Sequence, residues 1–505
     1  MTDPTASVTA APSAYRISTR DDVAIALRDL AAGENVRIGE LDITLRDAIP
    51  RGHKFALRAV AASQPVCKYG WPIGRARVDI PVGAHVHVHN VATRLAGLDE
   101  YRYEAAAGTS ADHAVSTATF MGYRRANGRV GTRNEIWILC TVGCVGRTAE
   151  RIARLGSQRF AGRVDGIHAF PHQFGCSQLG GDLDRTRRLI AALACHPNAG
   201  GVLILGLGCE SNQLDKLLAG IPAQERGHIR AFSAQATTDE TEEGLRAVEE
   251  LVQLAERAQR EPCPLSTLSV GLKCGGSDGF SGITANPLVG RIADRVTAAG
   301  GAAILTEIPE VFGAERLLMQ RAASEQVFNG IVSVVNDFKD YFLRNEQPVH
   351  ENPSPGNIAG GITTLEEKSL GAVQKGGHAT VTQVVRYAER ADKPGLTLLE
   401  APGNDGVSST ALVAAGATIV LFTTGRGTPL GFPAPTLKIS SNSTLAQSKP
   451  HWIDFDAGRV LSGEDPEALT DEFLQLIVAT ASGQPARNEL NEEREIAIWK
   501  DGVTL

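Results

Sequence analysis

The sequence contains no block of lysine and arginine: 50 basic residues are spread among 57 acidic ones, for a formal charge of −7. Nucleic acid and anionic membrane, both gripped by clustered positive charge, are thereby excluded as expected partners. No apolar run approaches the roughly 20 residues that cross a bilayer. The opening MTDPTASVTAAPSA carries an acid and no apolar core, so it lacks the pattern of a secretory signal and reads as a disordered tail over residues 1–13. Close C-x-x-C pairs are missing, which argues against a zinc ribbon. Neither a G-x-G-x-x-G nor a Walker loop occurs, and no repeat is evident. Without an export signal, the eight cysteines read as reduced thiols in a cytoplasm, free to bind metal.

At 505 residues the chain is too long for one ordinary core and predicts two or three domains. Its 43% apolar and 21% charged content is that of a soluble globular protein. Residues 14–95 read as a small β-rich domain, with short alternating runs such as FALRAVAA and ARVDIPV between Gly and Pro turns. Residues 96–118 have no sustained period and read as a linker. An α/β pattern then begins, and EPCP (261–264) marks the boundary between a second region, 119–262, and a C-terminal region, 263–505.

The C-terminal region is organised around KCGGSDGFSGITANP (273–287). An apolar run at 268–272 leads in, a helical pattern over 287–299 with Asn286 as expected N-cap leads out, and AAILTE (302–307) supplies the next strand. Such a right-handed βαβ unit places Cys274, Ser277, Asp278 and Glu307 at strand carboxyl ends, the edge where open α/β sheets bind ligands. Later strand–loop patterns put Asn404 and Asp405 (APGND) and Arg426 (TTGRGTP) in similar positions. Arg426, between two glycines, suits a two-pronged grip on a carboxylate. Lys438 lies in the strand-like run PTLKISSNS.

In the second region Cys144, Cys176 and Cys209 each follow a predicted strand, so with Cys274 four thiols fall at strand ends. Soft thiolates there could converge on an iron or iron–sulfur centre; the plain alternative is four small buried hydrophobes. His85, His87 and His89 alternate with valines in HVHVHN, so a strand would set three imidazoles on one face, either as ligands or merely solvated. His53 sits in a GHK turn, and Lys68 in a KYG turn.

GHKFAL, KYGWPIG, HVHVHN, YRRANGRVGTRNE, GCSQLG, GLGCE, CGGSDGFSGITANP, ENPSPGN, GGITTLEEKSLG, APGND, TTGRGTP and HWIDFDAG stand in this order along the chain. Together they resemble the altronate/galactarate dehydratase family of sugar-acid hydro-lyases, over essentially everything after the tail. HVHVHN, NDFKDYF and IAIWKDGVTL resemble the altronate branch more than the galactarate branch. The resemblance implies an α/β fold class with a small N-terminal SAF-type β domain followed by two α/β regions with largely parallel sheets. It also implies a divalent metal, ferrous iron (Fe2+) first and Mn2+ second, which places the iron–sulfur cluster allowed by the thiols last, and conversion of D-altronate to 2-dehydro-3-deoxy-D-gluconate and water. Phe174 and Leu430 stand where the family pattern suggests tyrosines, which bears on the identity of the sugar acid more than on the reaction type.

Dehydrating a 2,3-dihydroxy acid requires a base for the C2 proton, an acid for the departing 3-hydroxyl and positive charge against the enediolate. The expected catalytic groups are His53, His87, His172 and Glu307. Ser277, Asp278, Asn404, Asp405, Arg426 and Lys438 are expected to bind substrate. Cys144, Cys176, Cys209 and Cys274 are expected to bind metal, with His85, His87, His89 and Glu210 as alternative ligands. The expected partner is a small-molecule sugar acid, with a homo-oligomer also admitted. Galactarate or another aldonate or aldarate is the alternative substrate, and a non-catalytic sugar-acid binding protein the alternative class.

Overall fold

The computed structural model describes residues 12–95, 97–98, 101–103 and 118–505. The tail expected over 1–13 and the linker expected over 96–118 fall largely outside the described residues.

In the N-terminal domain, Val23–Ala26 and Lys54–Ala56 run antiparallel at the centre of a four-stranded sheet edged by Ala14–Tyr15 and His85–Val86. A second, three-stranded sheet is built from Pro65–Lys68, Trp71–Ala76 and Val91–Ala92. The strand expected through HVHVHN stops at Val86. Residues 87–90 turn instead, because the Asn90 side chain accepts from His87 N (2.9 Å) and donates to His85 O (2.9 Å).

Two parallel sheets follow. The first has the order Gly166–Phe170, Glu135–Cys140, Ala199–Gly206, Ile229–Ser233. The second has the order Val381–Val385, Gly395–Leu399, Ala302–Leu305, Ser269–Cys274, Ile419–Thr424, Thr436–Ser440, Phe455–Asp456. Central strands such as EIWILC and IVLFTT are buried along their whole length, as strands covered on both faces must be. Alternate residues serve different cores. Ile136, Ile138 and Cys140 pack with helices Gly146–Arg159 and Glu240–Ala255, whereas Trp137 and Leu139 join a larger core shared with the C-terminal sheet and with Val23, Val66 and Ile73 of the N-terminal domain. The N-terminal domain is therefore packed into the body of the protein.

One local expectation is corrected, the start of the helix after the glycine-rich loop, and the EPCP segment at the expected boundary has structure of its own. EPCP is an edge strand, Glu261–Pro264, paired antiparallel with Thr119–Arg124, and an edge tolerates the missing proline N–H. Cys263 is buried there. The helix after the glycine-rich loop begins earlier than expected, at Ala285, because backbone bonds from Ile283 and Thr284 to Phe280 O already wind the preceding turn. Asn286 is thus freed from capping: it donates to Gly371 O (3.0 Å) and accepts from Thr423 Oγ1 (2.7 Å).

Candidate active site

Ser269–Cys274 is the first strand of the C-terminal sheet, yet it lies between Ala302–Leu305 and Ile419–Thr424. The winding direction reverses at this point, and a crevice opens outside the strand carboxyl ends. The loops leaving these strands carry Gly275–Asp278, Glu307–Glu310 and Gly425–Gly427. Gly275 and Gly276, with Pro309, Glu310, Lys368, Asn404 and Asp405, line a cavity of about 870 Å³ to which Phe338, Tyr341 and Phe342 contribute apolar surface.

The floor of the crevice is a charge cluster, buried except for the half-exposed Asp405. Lys273 Nζ contacts Glu307 and lies 2.8 Å from Asp405 Oδ1; Lys375 Nζ lies 3.1 Å from Glu307 Oε2 and 2.7 Å from Cys274 Sγ; Lys368 Nζ lies 2.8 Å from Glu310 Oε1. Three ammonium groups thus face three carboxylates. Burial opposes the charge on Glu310, but Lys368, Lys273 and Lys375 outweigh it and hold its carboxyl below the usual range. Burial and then Glu307 push the Cys274 thiol up to about 12, so it is protonated at neutral pH. Glu307 adopts φ +69°, a left-handed conformation that costs a non-glycine residue on the order of 1 kcal/mol. Its ion pairs and the bond from Cys274 N (3.1 Å) keep it there.

The helix Leu365–Ala372 connects this cluster to the N-terminal domain through three consecutive side chains. Glu366 accepts from Arg94 N (2.6 Å), Glu367 accepts from both Lys54 (3.0 Å) and Lys68 (2.7 Å), and Lys368 turns to Glu310. The GHK turn is pressed against the glycine-rich loop: a β-carbon at Gly279 would come within 2.1 Å of Gly52 O. His53 follows, its Nε2 3.3 Å from Ala359 O and its Nδ1 3.1 Å from His85 Nε2.

Among the described residues, two groups of three ligand atoms lie within 4.8 Å of one another: His53, His85, His87 and Cys274, Glu307, Glu310. The second does not fit a cation, since the Lys273 and Lys375 ammonium groups already pair with Glu307 and Lys375 lies against Cys274. The first fits. Burial, followed by the His53 and His89 charges, lowers His85 to about 4, and burial followed by Lys54 lowers His87 to about 3, leaving neutral imidazoles. His87 Nδ1 is a buried nitrogen without a partner. Three nitrogens suit a transition-metal ion with open positions. His87→Ala is expected to weaken Mn2+ binding to metal-free protein by more than about tenfold; unchanged affinity in titration calorimetry would remove the imidazoles from that role.

The remaining expected residues are distributed as follows. Cys144, Cys176 and Cys209 are exposed and belong to the other parallel sheet, so Cys274, buried among lysines, does not join them in one ligand set. His89 is exposed with its ring 5.5 Å from that of His85. His172 spends both nitrogens on backbone groups, on Cys140 O of the neighbouring strand (2.9 Å) and Phe174 N of its own loop (3.1 Å). Glu210 caps a turn through Thr141, Leu207 N and Gly208 N. The Asp278 carboxylate is consumed by Ser281, Ser441 and Asn442, and organises the loop. Ser277 is buried, its carbonyl accepting from Asn357 (2.8 Å). Asn404 caps the helix Asp405–Ala414 at the cavity wall. Arg426 is exposed and donates to Gly356 O (3.1 Å), whereas Lys438 is buried and paired with Glu493 (2.9 Å). Phe174 and Leu430 pack against the large core and do not line the cavity. Sequence reasoning missed Glu310, Lys368 and Lys375. The EEK triplet within GGITTLEEKSLG was the one signal that could have pointed to Lys368.

The chain that builds this small β domain and the parallel sheets behind it matches three family models in order. They are the altronate/galactarate dehydratase SAF domain (residues 12–94), the D-galactarate dehydratase/altronate hydrolase second domain (122–256) and the D-galactarate/altronate dehydratase C-terminal domain (265–504). The chain belongs to the altronate/galactarate dehydratase family. It is 50% identical to the altronate dehydratase of Escherichia coli (strain K12) over 97% of this chain and 99% of that one, and 48% identical to the altronate dehydratase of Bacillus subtilis (strain 168) over 98% and 100%. The galactarate dehydratase (L-threo-forming) of Escherichia coli is more distant, 34% identical over 94% of each chain. No helix of the described residues is long and apolar enough to cross a membrane.

Proposed function

We propose that this hydro-lyase converts D-altronate to 2-dehydro-3-deoxy-D-gluconate and water in the cavity above the lysine–carboxylate cluster. Identity near one half to two altronate dehydratases over nearly the whole chain is the observation that carries the substrate. The cavity carries the chemistry. Glu310, ionised at its wall, accepts the C2 proton. Lys368, held charged by Glu310 despite its burial, faces the negative charge that develops on the substrate carboxylate and is placed to protonate the departing 3-hydroxyl. Asn352 (3.0 Å) and Asn357 (3.3 Å) fix the Lys368 ammonium in position. Glu307, wholly buried and off the cavity wall, passes the base role expected of it to Glu310 and instead balances Lys273 and Lys375.

Ferrous iron or manganese, which His53, His85 and His87 would hold, would supply a Lewis acid beside the one-turn helix Pro355–Ala359. That helix offers Pro355, Asn357 and Ile358 to the cavity and the Ala359 carbonyl to His53, so the two groups share one wall. Anaerobic assay of an aldonate and aldarate panel with ferrous iron tests the reading. D-Altronate is expected to give the highest kcat/KM and the 2-keto-3-deoxy product, chelation to abolish turnover and iron or manganese to restore it. Turnover of galactarate without altronate would overturn the substrate, and full turnover by metal-free protein would overturn the metal.

A further inference from the structure

The second parallel sheet has a ligand edge that the dehydration chemistry leaves unused. Its first strand, Glu135–Cys140, lies between Gly166–Phe170 and Ala199–Gly206, so here too the winding direction reverses, the place where open α/β sheets form a ligand crevice beyond the carboxyl ends. The three loops leaving these strands carry Cys144, Cys176 and Cys209, all exposed, while Cys140, Cys195, Cys263 and Cys274 are buried. The loops are tied to one another. Gly143 N donates to Phe174 O (2.9 Å), Asn212 N to Gly175 O (2.9 Å) and Asn212 Nδ2 to Thr141 O (3.1 Å). Their backbones touch: a β-carbon at Gly175, which has φ +101°, would lie 2.0 Å from Thr141 O. The same loops hold two buried polar atoms without partners, Gln178 Nε2 and Asn212 Oδ1. Such orphans are uncommon in folded proteins and mark places where another group belongs.

We propose that Cys144, Cys176 and Cys209 hold a four-iron iron–sulfur cluster in this crevice, a centre separate from the imidazole group. Soft thiolates select zinc, copper(I) or iron–sulfur clusters. A tetrahedral zinc ion with sulfurs at about 2.3 Å needs them about 3.8 Å apart. These three thiols belong to no set of ligand atoms within 4.8 Å of one another, and the hydrogen bonds between the loops oppose closing them further. A cluster spreads its thiolates over separate irons and accepts the wider spacing. Three thiolates leave one iron without a protein ligand, open to a hydroxyl or carboxylate oxygen. Gln178 supplies an N–H for a cluster sulfide, a contact of the kind that tunes such centres.

The full-length chain, purified without oxygen and reconstituted with ferric and ferrous iron and sulfide, is expected to retain about four acid-labile sulfides and about five irons, four in the cluster and one at the imidazoles. It should show a broad visible absorption that dithionite bleaches. Cys144→Ser, Cys176→Ser and Cys209→Ser should each lose most of the labile sulfide and the absorption at unchanged circular dichroism, while Cys67→Ser and His87→Ala keep both. Wild-type protein that binds iron without sulfide, or that takes up a single zinc ion in place of the cluster, overturns the proposal; so does a chromophore that survives the three serine substitutions. The wild-type sulfide content is read without any variant, so a misfolded variant does not shelter the idea.

Discussion

Glu367→Gln is expected to destabilise the protein by about 3–5 kcal/mol, the usual cost of leaving a buried charge unpaired. Glu367 is buried and is the shared carboxylate of two buried ammonium groups, Lys54 at 3.0 Å and Lys68 at 2.7 Å, which come from separate strands of the N-terminal domain. Thr363 completes the carboxylate through its N–H (2.9 Å) and hydroxyl (2.6 Å). Burial works against Glu367, but the two lysines outweigh it and hold the carboxyl far below its usual range; burial and crowding by Lys68 bring Lys54 down to about 8. A depressed carboxyl stabilises the fold above its unfolded value, about 4.3, and that contribution disappears as the pH falls through the lower folded value. The wild type should therefore lose urea resistance below about pH 4.3, and the glutamine variant should show a lower midpoint near neutrality with a flatter acid limb. Adding Lys54→Met should recover part of the loss by removing one stranded charge. A midpoint within experimental error of wild type would show that the domains are held by their apolar contacts alone.

That triad illustrates how far the sequence could be read. GHK, KYG and GGITTLEEKSLG are each visible as short polar motifs, but the meeting of Lys54, Lys68 and Glu367 spans about three hundred residues, and no local period encodes it. The parallel sheets were legible because strands buried on both faces appear as unbroken apolar runs, as in EIWILC and IVLFTT. Strand ends were equally legible, yet a strand end does not say which sheet it belongs to. Cys274 therefore looked equivalent to Cys144, Cys176 and Cys209, although it faces lysines in a different sheet. The alternation in HVHVHN brought the imidazoles together on the page through a strand, whereas the Asn90 side chain does so through a turn. Glu310 was invisible because it sits three residues beyond the more conspicuous Glu307, in a 3-10 turn, Ile308–Glu310, that no side-chain pattern announces.

Glu310→Gln is expected to reduce kcat/KM by about 10²–10⁴-fold, the range lost when a positioned base is removed, or about 3–5 kcal/mol of barrier. The amide is nearly isosteric and can still accept from Lys368, which also retains Asn352 and Asn357, so circular dichroism and KM should change little. The pH profile separates a base from a brace. Because Lys368, Lys273 and Lys375 hold the Glu310 carboxyl below the usual range, the wild type should stay active well into acid and lose kcat/KM only below about pH 4.3, where the carboxylate is protonated. The variant should lack that limb. Glu307→Gln provides the contrast: it leaves Lys273 and Lys375 poorly paired in a fully buried site, so activity and urea resistance should fall together. If Glu310→Gln retains activity within threefold of wild type, or if its loss is matched by a loss of stability as at Glu307, then the carboxylate only supports Lys368, and the C2 proton must go to another group.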